Sequence, residues 1–427
     1  MRTLSRRRVT RAYRGRGDEL RLKLQGAFVI ALPAALLALA ISAFGIGCTE
    51  FIMMGLLPEV AVAFHVSIPT AGDLISGYAL GVVVGAPLLT AASTRLSRRT
   101  VLLGLMAVFT VGNLFAAVAQ SYPMLLAARV LTGLPHGALF GVGSVVAAGM
   151  VPSDRRARAI SMMFAGLALA NVIGVPAGTL VSQHVGWRAA FVLIAAIGVV
   201  SIIAIGMLVP RQPQSTGSDL GAELATFRRP QVWLALTVGT FGFAGVFAVY
   251  SYIEPMMTHV AGYSSTSVNW LLALFGVGMT VGNLVGGRLA DRALMPSLYG
   301  TLGTLGLLLA LFVVTAHNQV TAAVTLFLIG GAGMACVPII QTRIMDVAHG
   351  APTLAAAANH SAFNLANAAG AFLGGLVIAA GFGWTAPSWV GAGLAGVGLA
   401  LAVFAGALER RRTPRTLPAT NVESVSA

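Results

Sequence analysis

The sequence predicts an all-α membrane protein, with twelve transmembrane helices in two parallel six-helix repeats. Three observations carry this. Hydrophobic residues make up 57% of the 427 residues and charged residues only 9%, where a soluble domain carries about 25% charged residues. About twelve apolar runs follow one another, each near the ~20 residues that a helix needs to cross a bilayer. Basic residues mark every second gap between the runs.

Taken in order, the runs lie at 27–57, 68–92, 99–119, 123–151, 158–183, 188–209, 232–255, 267–290, 298–316, 319–345, 353–380 and 386–408. Breakers separate them. The N-terminal arginines ahead of 27–57 imitate a secretory signal. That run is too long for the ~7–15-residue apolar stretch of a signal, and similar runs follow it, so it is expected to stay as the first span. Both cysteines, Cys48 and Cys336, fall inside apolar runs, so no disulfide framework is implied.

Of the 27 Lys and Arg residues, all but Arg129 and Arg188 fall at the chain ends or in alternate gaps. Those gaps hold Arg95, Arg98 and Arg99; Arg155, Arg156 and Arg158; Arg211, Arg228 and Arg229; Arg288 and Arg292; and Arg343. The other gaps, near 57–70, 120–122, 255–266, 316–319 and 381–387, hold none. Lys and Arg collect in cytoplasmic loops, so both termini are expected in the cytoplasm and the number of crossings is even. The net charge of +14 then faces anionic lipid headgroups. No basic stripe with interleaved aromatics points to nucleic acid. Lys23 is the sole lysine, and Ala and Gly are abundant. That composition fits a GC-rich bacterial genome, hence a bacterial inner membrane.

The longest polar interruption after the N-terminal tail is 210–231. It divides the chain into a basic tail 1–25, a six-helix bundle 26–209, a cytoplasmic linker 210–231, a second bundle 232–409 and a tail 410–427. The bundles read as copies. Shifted by 197 positions, Phe44, Gly45, Pro58, Leu74, Gly81, Val84, Gly85 and Arg95 meet Phe241, Gly242, Pro255, Leu271, Gly278, Val281, Gly282 and Arg292. Six crossings return the chain to its starting side, so the copies are parallel. A substrate site is then expected near mid-membrane, between them.

Charge inside this frame marks candidate chemistry. Arg129 opens the stripe Gly133, Gly137, Gly141 in the fourth run. Glycines at spacing four let another helix approach closely. An arginine buried in a membrane costs at least about 2.5–3.5 kcal/mol and points to function, unless it snorkels to the interface. Glu50 is its expected partner. Counted at about 1.5 Å per residue, Glu50 lies ~12 Å and Arg129 ~9 Å from the same membrane face. Beside an arginine, a carboxylate can alternate between an ion pair and a neutral acid, or form a permanent structural pair. Asp73 and Glu254 are nearer that face, where outer water would hold them ionised; Asp73 is the next proton-coupling candidate.

Other runs supply candidate lining. Phe51, Met54, His136, Phe140 and Tyr250 lie on spans that would surround a central cavity, although such residues also serve as core. His360, Asn364 and Asn367 share one helix face. They could bond substrate or join helices at about 0.6 kcal/mol each. Gly166, Ala170, Gly174 and Gly178 repeat the spacing of four. Pro176, which removes a backbone donor, bends that helix. Two gaps carry Gly85 to Arg95 and Gly282 to Asp291-Arg292, where a charge pair could latch one conformation or the arginines simply anchor the loops.

The stretches TEFIMMGLLPEVA, RVLTGLPHGALFG, GVPAG and GWRAAF, with the glycine-rich gaps, resemble the twelve-span drug–proton antiporters of the major facilitator superfamily. The chloramphenicol-resistance and arabinose-efflux branch is the most similar, and the resemblance covers residues 26–409. It implies export of a small molecule, such as a chloramphenicol-type drug, in exchange for protons by alternating access. A sugar or metabolite exporter and a non-transporting sensor are the alternatives. It also implies that Arg129 matches the fourth-span motif arginine, that 166–178 matches the antiporter motif, and that Gly85, Arg95, Gly282, Asp291 and Arg292 match the cytoplasmic gate. The family places an Asp where this chain has Thr94, so the first loop departs from the pattern while Asp291 keeps it.

Competing classes fit poorly. A nucleotide-driven pump needs a Gly-x-x-x-x-Gly-Lys loop, which Lys23 alone cannot supply. Thr237-Val-Gly239 looks like a channel filter but sits inside an ordinary span. No convergent catalytic or metal-ligand set is present, so neither enzyme activity nor a cofactor or metal is expected. The expected partners are a small-molecule substrate, protons and the lipid bilayer, with no nucleic acid, and the chain is expected to act as a monomer.

Overall fold

The computed structural model describes residues 34–92, 96–152, 155–211, 226–348 and 352–412. Twelve helices among them are long and apolar enough to cross a membrane. The spans are 34–64, Ile68–Ala92, Arg98–Ala117, Tyr122–Gly149, 156–185, Trp187–Leu208, 230–259, Ser265–Arg292, Leu294–Thr315, Gln319–Val347, Pro352–Ala379 and Ala386–Arg412. Within each half the described connections are short, so the chain reverses direction from span to span.

Three spans are interrupted. The first is helical over Ala34–Phe51, breaks at Ile52, and resumes as Met53–Phe64. It therefore runs through Pro58, where the sequence suggests an exit; a proline removes one helical bond without ending the helix here. The seventh breaks after Tyr250 and resumes as Ile253–His259, with Pro255 in its first turn, where a missing N–H costs nothing. The fifth contains a π-turn at Ala170–Gly174, and the Val175 N–H reaches back to the Ala170 carbonyl. Pro176 follows at the next position and cannot donate, which favours the wider turn.

The 197-residue repeat is built into the packing. Spans two and four pack together, as do eight and ten; span three packs on four and six, and nine on ten and twelve. A Cβ at Gly81 would collide with the Val130 carbonyl, and one at Gly278 with the Phe327 carbonyl. Gly85 meets the Leu134 carbonyl as Gly282 meets that of Gly331. Gly133 meets Tyr78 as Gly330 meets Phe275. Every pair is offset by the same shift. Even the caps repeat: the Ser67 hydroxyl accepts the Thr70 N–H at 3.2 Å, and the Ser264 hydroxyl accepts the Ser267 N–H at 3.2 Å.

The halves meet through spans two and eleven, five and eight, and one and seven. The first two contacts are one contact seen from each half. Cross-half bonds extend to the arginine-poor end, where Gln183 donates to the Ser265 carbonyl at 3.0 Å and accepts from Asn269 at 2.9 Å.

Candidate functional site

Glu50 sits in the last turn before the break of the first span, 7% exposed. Its Oε1 accepts the Nδ2–H of Asn367, from the eleventh span, at 3.1 Å. Its Oε2 lies 3.9 Å from His136 Nδ1. That nitrogen also shares a hydrogen bond of 2.9 Å with the Tyr78 hydroxyl. One carboxyl group thus touches both halves, at the level where the first span loses its regular helical bonds.

Arg129 is fully buried. Its Nη1 donates to the Thr49 carbonyl at 2.6 Å and its Nε to the Leu74 carbonyl at 3.3 Å. The guanidinium lies 4.5 Å over the Tyr78 ring, a favourable cation–π placement. Among the described residues, Nη2 has no hydrogen-bond partner. From sequence, Arg129 is expected to pair with the Glu50 carboxylate. The two do share one buried cluster, but the arginine holds the backbone one residue earlier. The carbonyls before the Ile52 break lie at a helix end, where acceptors lose helical donors. The guanidinium satisfies one of them. The Thr49 hydroxyl in turn donates to Asn113 Oδ1 at 2.6 Å, which ties span three to the same point.

Aromatic rings cluster around Phe51, the residue after Glu50. Phe51 lies 6.1 Å from Phe247 and 6.2 Å from Tyr250, and Tyr250 stacks on Phe275 at 4.1 Å. Nearer the arginine-rich end, Phe140, Phe164 and His360 form a near-parallel stack across the halves, with centroids 4.9–6.3 Å apart. His136 lies 5.1 Å from Phe140. Met54 is buried beside Phe51 in the first span. Several polar atoms in this region are buried without partners among the described residues: the Tyr250 hydroxyl and the Oδ1 atoms of Asn171, Asn364 and Asn367. Orphaned buried polar atoms call for an explanation, and a substrate or water is one that suits a transport site.

The other sequence candidates fall elsewhere. Asp73 is part-exposed, one residue from the Leu74 carbonyl that Arg129 grips. Gly166, Gly174 and Gly178 face the first span, against the Ala40 carbonyl, Cys48 and Ile52 respectively. This is the close-contact stripe expected of 166–178, with Pro176 just past its π-turn. Gly85 and Gly282 lie inside spans two and eight rather than in loops, and pack within their own halves. Asp291 and Arg292 are exposed. Arg95 lies outside the described residues, as do Thr94 and most of the linker. Arg343 is bonded to Glu409 at 3.0 Å, joining spans ten and twelve. Tyr78, Asn113, Thr49, Phe164 and Phe275 belong to the site or its support and were not singled out from sequence. One signal was available: Tyr78 and Phe275 are aromatic at the 197 offset.

The twelve spans and their internal repeat have a counterpart among known sequences. A family model described as Major Facilitator Superfamily matches residues 39–361 and 255–425. The chain belongs to the Major Facilitator Superfamily. It is 45% identical over 386 residues to the inner membrane transport protein YdhP of Escherichia coli, covering 90% of this chain and 98% of that one. It is 35% identical to the putative transporter AraJ of E. coli, covering 83% and 90%. It is 33% identical to a chloramphenicol resistance protein of Streptomyces lividans, covering 87% and 96%. The protein is therefore a multi-pass membrane transporter of this superfamily.

Proposed function

We propose that this transporter exports an apolar, aromatic small molecule in exchange for protons, with Glu50 as the coupling group. The observation behind it is the Glu50 carboxyl itself, buried between the halves and bonded to Asn367 of the opposite half. A group so placed changes its surroundings whenever the halves rock. Alternating access can then tie its protonation to the direction in which the site opens. Arg129 positions the first span around it. Asp73 is the second candidate on the proton route. The surrounding Phe51, Phe140, Phe164, Tyr250 and Phe275 favour flat apolar substrates over sugars, which demand many polar partners. The relative named for chloramphenicol resistance supports a drug of that type. His136, Asn364 and Asn367 supply the polar contacts, and Met54 adapts the wall.

The arginine distribution orients the protein, with both termini and the 210–231 linker in the cytoplasm and the arginine-poor end outside. The bundles 26–209 and 232–409 then rock as monomeric halves. A reporter active only outside the membrane, fused after residue 218, gives no signal, and one inserted near 262 gives one; the reverse pattern overturns the orientation. The transport reading is tested in a pump-deleted host challenged with a panel of antibiotics and sugars. Expression raises the inhibitory concentration of aromatic drugs, and proteoliposomes with an imposed proton gradient concentrate the same compound. A protein that moves no panel member and dissipates no proton gradient would be a sensor with a transporter fold.

A further inference from the structure

The buried amides at the interface between the halves share one polarity. Asn364 and Asn367 lie in the eleventh span and Asn171 in the π-turn of the fifth, each 3% exposed. Asn364 Nδ2 donates to the His360 carbonyl at 3.0 Å, and Asn171 Nδ2 to the Leu167 carbonyl at 3.1 Å. A carbonyl only accepts, so these bonds fix which end of each amide is the nitrogen. Asn367 Nδ2 is engaged by Glu50 Oε1. The Oδ1 atoms of all three are buried with no partner among the described residues. An ionised Glu50 adds further acceptor lone pairs.

These acceptors lie on the seams between the halves. Positions 360, 364 and 367 share one helix face. His360 stacks with Phe140 and Phe164 of the first half, and Asn367 bonds Glu50 of the first half. Asn364 lies between them on that face. On the other seam, the Asn171 carbonyl is what a Cβ on Gly276 of the second half would meet, and the neighbouring Phe275 stacks on Tyr250.

Donors are scarce by comparison. Among the buried, unpartnered side-chain atoms of the described residues, the one nitrogen is Arg129 Nη2. Its guanidinium is already held by the Thr49 and Leu74 carbonyls and lies over the Tyr78 ring. His136 Nδ1 is engaged with the Tyr78 hydroxyl. The Tyr250 hydroxyl serves either way. Buried acceptors are costly to leave unpaired, so a ligand that fills the interface must bring donors to them.

We infer that the transported molecule is a planar aromatic carrying at least two N–H or O–H donors, and that Asn364 and Asn367 are the residues that select for them. The rings set the shape and the amide oxygens set the polarity. An amino or hydroxyl group on the ring edge meets Oδ1 with a donor. A methyl group in its place leaves the oxygen unpaired, and a nitro group sets acceptor against acceptor. The inference rests on the flat, apolar site proposed above and adds the polarity of what fits it.

The test is equilibrium binding, with no proton gradient. Full-length protein in nanodiscs is dialysed near neutral pH against diaminonaphthalene, dimethylnaphthalene and dinitronaphthalene of one substitution pattern, which are uncharged there and matched in shape. Protein-free nanodiscs correct for partition into lipid. The diamino probe binds about tenfold or more tighter than the dimethyl probe, and the dinitro probe binds most weakly. Asn364→Ala and Asn367→Ala narrow the diamino-to-dimethyl ratio by about three- to tenfold each. Asn364→Ser and Asn367→Ser, nearly the size of alanine but with an acceptor, keep part of it. Equal binding of the three probes by the wild-type protein overturns the inference, and this ranking decides even where a variant fails to accumulate. Alanine variants that discriminate as the wild type does remove Asn364 and Asn367 from the selection. N-methylquinolinium, a planar cation without a donor, is the fourth probe; tighter binding than the diamino probe would mean that the Glu50 charge selects, and overturns the donor reading. If none of the four binds, the flat, apolar site itself fails and the inference falls with it. Failure of the coupling reading shows separately, as uphill transport retained by Glu50→Gln.

Discussion

Arg129 donates to the Thr49 carbonyl at 2.6 Å and not to the carboxylate of the next residue, Glu50. The difference matters for mechanism. A guanidinium paired to the carboxylate would have to release it whenever a proton arrived. Bound to the main chain, it holds the first span at its break and leaves the Glu50 carboxyl free for the proton exchange proposed above.

Arg129→Ala is expected to reach the membrane in near-normal amount and to lose transport. Hydrogen bonds from a charged donor contribute about 1.5–3 kcal/mol each, so losing two from the transport-competent geometry slows flux by at least about 100-fold. Arg129→Lys recovers only part, because an ammonium lacks the planar fork that reaches both Thr49 and Leu74. Vesicle flux normalised to reconstituted protein decides it. Full activity in the alanine variant would leave Arg129 a packing residue.

Glu50→Gln removes titration and keeps shape. The glutamine carbonyl oxygen still accepts the Asn367 N–H, so the bond between halves is preserved. Proton-driven uphill transport is expected to disappear in proteoliposomes while downhill exchange of labelled substrate continues. Substrate concentrated against its gradient by this variant would move the coupling role to Asp73.

The fold was legible because a bilayer imposes few solutions. Apolar length and arginine placement are direct consequences of desolvation and membrane charge, and the 197-residue shift reappears in the paired contacts Gly81–Val130 and Gly278–Phe327. The site was legible only in part. Glu50 and Arg129 stand out because a charge in an apolar run is costly, and a depth count brought them to one level. Which atom each grips depended on the break at Ile52 and on rotamers, which no spacing encodes. Tyr78 and Phe164 were hidden for another reason: an aromatic in an apolar run costs nothing, so its presence carries no signal. The burial of Glu254 carries no local signal either, because the packing of helix 253–259 on helix 53–64 is a tertiary contact.

The contact of span five with span eight gives the most local prediction about rocking. A Cβ at Gly276 would stand 2.6 Å from the Asn171 carbonyl oxygen, which belongs to the π-turn of the opposite half. The collision is with backbone on both sides, so no rotamer change relieves it. Gly276→Val is therefore expected to wedge the halves apart without disturbing either helix bundle: yield and helical content stay near normal, while flux falls by about tenfold or more, consistent with about 1–3 kcal/mol of overpacking placed on one conformation. Gly104 is the control, since a Cβ there meets nothing within 4 Å, and Gly104→Ala should leave flux unchanged and add up to about 1 kcal/mol of helix stability. Wild-type flux in Gly276→Val would show that the close approach of these two spans is not passed through during transport. A variant that fails to accumulate would instead place the contact in folding, and Gly276→Ala, with its smaller intrusion, separates the two outcomes by showing whether flux falls before yield does.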